Sequence, residues 1–163
     1  MAFAPTMADV VRAAGGWLVD QVLAGADVLV LVSERSDPRP VEILGARAEH
    51  LDSALATRVH GPRPHTLAVG ADLYGAHPRV HRLVQRLLET GLTEVRLWDD
   101  DWSVELDDEA EPLRHRLSLA ARAFKAQALV AAAAASGPVE DTEVFFNGDL
   151  LPVPPDVPHL IPV

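Results

Sequence analysis

"HTLAVGADLYGAHPRVHRLVQRLLETGLTEVRLW", His65 to Trp98, is the stretch whose reading decides the fold. Thr66 to Val69 is a short apolar run of the kind found in strands buried on both faces. Pro78 stands where the first turn of a helix needs no N–H. Val80, Leu83, Val84, Leu87 and Leu88 then recur at helical spacing, which predicts a helix from His77 to Glu89. Gly91 closes it, and Glu94 to Trp98 reads as the next strand. Strand, helix, strand in one short stretch is a βαβ crossover with parallel strands.

Toward the N-terminus the same signals continue. Thr6 can cap a helix with its hydroxyl, and Asp9 suits the positive end of the helix dipole. Val10, Ala14, Trp17, Leu18 and Val22 follow at helical spacing, and Gly25 ends the run. Gly15-Gly16 lies inside this helix, at about 1 kcal/mol per glycine relative to alanine. A phosphate loop follows a strand and opens a helix, so the pair reads instead as a close-packing spot or a kink. "ADVLVLVSE", 26–34, is a buried strand, and "RSDPR", 35–39, is a turn. "PVEILGA", 40–46, is expected to return as an antiparallel neighbour, followed by a short helix from Arg47 to Thr57.

Toward the C-terminus, "EVRLW" and "WSVEL" flank Asp99, Asp100 and Asp101, which predicts a hairpin. A helix is expected from Pro112 to Ala135. Its apolar stripe is Leu113, Leu117, Ala120, Phe124 and Ala128, and Arg114, Ser118, Arg122 and Lys125 lie on its outer face. Asn147-Gly148 between apolar runs is a type I′ hairpin signal. Residues 152–163 form a Pro-rich apolar tail that is kept extended and packs either on its own domain or on a second subunit. The expected fold is a single α/β domain over 1–151 with a central mixed β-sheet, one βαβ crossover, β-hairpins and about four helices.

Composition limits the function. With 163 residues, 48% of them hydrophobic, the chain can bury a core without staples. It has no cysteine, which excludes a thiol nucleophile and Cys-ligated metal centres. Net charge is −10, and eight carboxylates between Trp98 and Pro112 leave the rest of the chain at −2. That balance speaks against nucleic-acid binding and against adhesion to anionic membranes. The acidic run is no EF-hand: counting from Asp99, Val104 stands where glycine is needed and Ala110 where glutamate is needed. It reads as a solvated edge that discourages strand-to-strand association. No basic segment precedes an apolar core at the start of the chain, so a cytoplasmic location is expected.

Chemistry is best placed in "GADLYGAHPRVH", 70–81, which leaves the carboxyl end of a buried strand and enters a helix. Asp72, Tyr74, His77 and His81 offer an acid, a phenol and two imidazoles there. His77 and His81, four apart, can face one substrate, but no third metal ligand follows from the spacing, so no metal is assigned. A bland alternative has Asp72 satisfying turn amides and His77 capping the helix. The chain carries no GxSxG elbow, no P-loop and no dinucleotide fingerprint, so no cofactor is assigned. From these absences the first expectation is a non-catalytic interaction or regulatory module, acting as a homo-oligomer or on another protein. The alternative is a small-molecule-binding protein or enzyme with its site at 70–81.

Overall fold

The computed structural model describes residues 1–56, 63–99 and 111–151. Along the chain these form β1 (Ala2–Ala4), α1 (Met7–Leu23), β2 (Leu29–Val32), α2 (Arg39–Ile43), β3 (Arg47–His50) and α3 (Leu51–Ala56). Then come β4 (Thr66–Gly70), α4 (Ala71–Ala76), α5 (Pro78–Thr90), β5 (Glu94–Trp98), β6 (Leu113–Arg116), α6 (Leu119–Ala131) and β7 (Thr142–Asn147). The strands make one mixed sheet in the order β3-β2-β1-β4-β5-β7-β6. The first five run parallel, while β7 is antiparallel to both β5 and β6.

Alternation along each strand sorts the core into two layers. Ala2, Ala4, Val30, Val32, Ala68 and Phe145 face α1, α2 and α6. Phe3, Leu31, Leu67, Val69, Val95 and Leu97 face α3, α4 and α5. The parallel strands are covered on both sides, which is why their sequences read as unbroken apolar runs.

The expected βαβ unit is present as β4, α4–α5 and β5, with the two strands paired from Thr66↔Glu94 to Gly70↔Trp98. Gly91 caps α5 in the left-handed region at φ 61. Thr6 caps α1 as a full capping box: its hydroxyl accepts from Asp9 N–H at 3.1 Å, and its own N–H donates to Asp9 Oδ2 at 3.1 Å.

Several expectations need correction. Residues 40–46 do not return as an antiparallel strand. Pro38 and Pro40 preset helical φ, Val41 is buried, and the segment forms α2. The helix expected from Arg47 begins instead as β3, parallel to β2, and only Leu51 starts α3. The long helix expected from Pro112 is divided. Leu113–Arg116 pair with β7, and the Ser118 hydroxyl accepts from Ala121 N–H at 3.0 Å to start α6. Lys125 is therefore buried, and Phe124 is half exposed, the reverse of the expected faces. Asn147-Gly148 forms no type I′ turn; β7 leads into a 3-10 turn at Gly148–Leu150. Gly148 is required there because a Cβ would come within 2.6 Å of Val95 Cγ1. The described residues hold six α-helices rather than about four. Residues 100–110, with the second half of the expected hairpin and most of the acidic run, and the tail 152–163 lie outside the described residues. Among the described residues no helix is long and apolar enough to cross a membrane.

The glycine pair in α1 makes close packing possible. A Cβ on Gly16 would stand 2.4 Å from Leu117 Cδ1. Gly16 N–H and Trp17 N–H donate to Glu143 Oε1 and Oε2 at 2.8 and 2.7 Å. Lys125 Nζ donates to the same Glu143 at 2.6 Å and to the Arg12 carbonyl at 2.6 Å. A carboxylate from β7 and an ammonium from α6 thus clip onto the backbone of α1 mid-helix. Every partner in this buried cluster is hydrogen-bonded, as a buried ion pair requires.

Candidate functional site

Strand order places the crevice. From β1 the chain moves outward through β2 to β3, then returns to lay β4 on the other side of β1 and moves outward again to β5. The order reverses between β1 and β4, and in open α/β sheets ligands bind at the carboxyl ends of the strands at such a reversal. Pro5-Thr6 leaves β1 at this point, and Ala71-Asp72 leaves β4. The segment 70–81, read from sequence as a strand-to-helix loop, stands at this reversal and is the helix α4 and the first turn of α5 rather than a loop. Gly70 allows close approach there, since a Cβ would meet the Trp98 indole Nε1 at 3.2 Å.

The four sequence candidates separate into three settings. Tyr74 on α4 is buried and stacks on His81 of α5, with ring centroids 4.5 Å apart and planes at 25°. Gln85 Nε2 donates to the Tyr74 hydroxyl at 2.7 Å. Burial pushes the Tyr74 phenol above its ordinary pKa, and the Gln85 hydrogen bond offsets this only in part. Tyr74 accordingly stays protonated at neutral pH. Its oxygen accepts from Gln85, which leaves its own hydrogen for another acceptor.

His77 joins α4 to α5 and turns away from that pair. Its Nε2 lies 3.5 Å from Asp52 Oδ1 of α3, and Arg79 reaches the same carboxylate at 4.0 Å. His77 Nδ1 is buried without a hydrogen-bond partner. Asp72 is exposed in the first turn of α4, and its carboxylate makes no hydrogen bond or ion pair among the described residues. The structure thus brings Tyr74 and His81 together, places His77 with Asp52, and leaves Asp72 apart.

Sequence reasoning missed Gln85, Asp52 and His50. Gln85 had a local signal, since it is one turn beyond His81 on the same helix. Asp52 had none, because only the tertiary fold brings α3 to the start of α5. His50, at the carboxyl end of β3, holds the Ser33 carbonyl through Nε2 at 2.9 Å. That contact makes Nε2 the protonated nitrogen, and leaves the buried Nδ1 an unpartnered acceptor.

Comparison with known proteins adds the fold relationship. No family model and no curated protein sequence matches this chain. Solved structures do. A triple mutant of a deacetylase of the teicoplanin biosynthetic pathway superposes with a TM-score of 0.61 and 14% identity, covering 90% of this chain and 95% of that one. The deacetylase of the A40926 pseudoaglycone gives 0.60 and 17% over the same shares. A zinc-inhibited form of the teicoplanin deacetylase gives 0.54 and 18%, covering 79% of this chain and 81% of that one. The chain therefore has the α/β fold of these deacetylases.

This finding overturns the first functional expectation. The absence of a motif was read as a non-catalytic, protein–protein interaction module, whereas the solved proteins that share the fold are enzymes. The inference failed because a missing linear motif says little when a site is assembled from strand ends distant in sequence. Among the described residues no three His, Asp or Glu side chains stand together in a way that would hold a metal ion.

Proposed function

We propose that this chain is a small-molecule enzyme that hydrolyses an acyl group from an amine at the carboxyl ends of β1 and β4. Water adds to the amide carbonyl, the C–N bond breaks, and a carboxylate and an amine leave. The observation that carries this reading is segment 70–81 at the strand-order reversal of a fold shared with deacetylases. Tyr74 is suited to donate its retained proton to the carbonyl oxygen as negative charge develops there. His81, stacked on Tyr74, and His77, approached by Asp52, are the bases within this region.

The test uses the purified full chain with a panel of N-acylated amino sugars and N-acyl peptides, analysed by mass spectrometry for the free amine. Turnover of at least one acyl-amine above the uncatalysed rate is expected. Absence of turnover across the panel, together with absence of saturable binding of any member, would overturn the reading.

A further inference from the structure

At the opposite end of the sheet, where β2 and β4 begin, is a cavity of ≈ 380 Å³. It lies within the size range of small-ligand sites, about 300–1,000 Å³. Met1, Leu29 and Pro64 supply apolar wall, and Arg47, Arg63 and His65 supply basic groups. Asp27 also lines it and holds the Arg47 guanidinium at 2.8 Å. Arg63 is exposed and has no carboxylate partner among the described residues. In a chain of net charge −10, two arginines and a histidine around one apolar hole against a single aspartate are a local reversal of sign.

We infer that this cavity is a second small-molecule site and that its ligand is a compact monocarboxylate with an aryl or medium-chain aliphatic body. The apolar body lies against Met1, Leu29 and Pro64, and the carboxylate faces Arg63. Such a pairing suits guanidinium, whose planar donors match a carboxylate in a bidentate contact. The site is separate from the crevice at the carboxyl ends of β1 and β4, and it does not rest on the reaction proposed there.

Calorimetry with the full chain tests it, with indole-3-acetate and octanoate as probes and indole-3-acetamide and octylamine as their uncharged and cationic counterparts. One saturable site per chain is expected for at least one carboxylate, with its counterpart bound at least tenfold more weakly. Arg63→Ala, at an exposed position, is expected to weaken that binding at least tenfold. Leu29→Trp, which fills the cavity, is expected to abolish it. No saturable binding of either carboxylate, equal affinity for a carboxylate and its counterpart, or unchanged binding in Arg63→Ala would each overturn the proposal. Should Leu29→Trp not fold, Arg63→Ala decides alone.

Discussion

The two faces of the sheet treat their polar groups in opposite ways. On the α1–α6 face, Glu143 and Lys125 are buried and meet each other, two amides of α1 and the Arg12 carbonyl. On the α3–α5 face, Tyr74 keeps a hydrogen that Gln85 does not take, and His77 Nδ1 is buried without a partner. Glu143, Lys125 and Tyr74 are buried, where an unpaired polar group costs free energy. A fully satisfied set is a fastening. Under the proposed function, a substrate would supply the partner that an incompletely satisfied set lacks. The contrast needs no reference to motif.

The largest effect is expected from breaking the fastening. Glu143→Ala leaves the Lys125 ammonium buried without its counter-ion. Loss of one partner of such a pair costs about 3–5 kcal/mol. Urea denaturation is expected to show a loss of that order or failure to fold. A loss under about 1 kcal/mol would place the pair outside the core of the fold. Asp52→Ala, on the other face at an exposed carboxylate, is expected to leave stability nearly unchanged.

The glycine pair gives a smaller and more specific contrast. Gly16→Ala would drive a methyl into Leu117, and overpacking of this kind costs about 1–3 kcal/mol. Gly15→Ala meets nothing closer than 3.4 Å and gains helix propensity, so it is expected to be neutral or to stabilise by up to about 1 kcal/mol. Equal effects at the two positions, read as thermal midpoints, would remove the close-packing account of Gly16.

A pH dependence follows on the fastened face. Burial alone would raise the Asp20 pKa. Hydrogen bonds from Ser118 and His115, with the nearby His115 charge, outweigh burial and hold it below its ordinary value of 3.8. The unfolded chain thus takes up this proton at higher pH than the folded one does. The stabilisation is fully present above the unfolded pKa and is lost as pH falls through the folded one. Stability is expected to fall less steeply below about pH 5 in Asp20→Asn than in the parent chain. Identical acid limbs would contradict the assignment.

The smallest signal lies on the open face and is easily read. Tyr74 is the single tyrosine, so ultraviolet absorbance on alkaline titration reports it alone. Its midpoint is expected above the ordinary 10.0. A midpoint at or below that value would mean the phenol is not buried as described, and would weaken its role as a proton donor.

The parts of the fold legible in sequence are those where one strong pattern acts locally. The βαβ unit from Thr66 to Trp98, the Thr6 cap and Gly91 at the end of α5 were all readable because propensity and period agree there. Residues 47–50 and 113–116 were misread for a shared reason. In each, a short strand made of charged and small residues gains its identity from a neighbour, β2 for Arg47–His50 and β7 for Leu113–Arg116. Lys125 was placed outside because a lysine among alanines reads as a solvated face. Only Glu143, which follows on a later strand, makes its burial tolerable. The passage from β4 into a helix was legible in sequence. The neighbours of that segment were not, because Asp52 reaches His77 through the tertiary fold alone.

The most direct test of the central claim is the rate of acyl-amine hydrolysis by Tyr74→Phe beside the parent chain, with thermal midpoints recorded for both. Removing one hydroxyl donor to a developing oxyanion costs about 10²–10³ in kcat. The account expects a loss of that order, with only the small stability change of one lost hydrogen bond, about 1 kcal/mol. Equal rates in the two proteins would contradict it and move the chemistry away from segment 70–81.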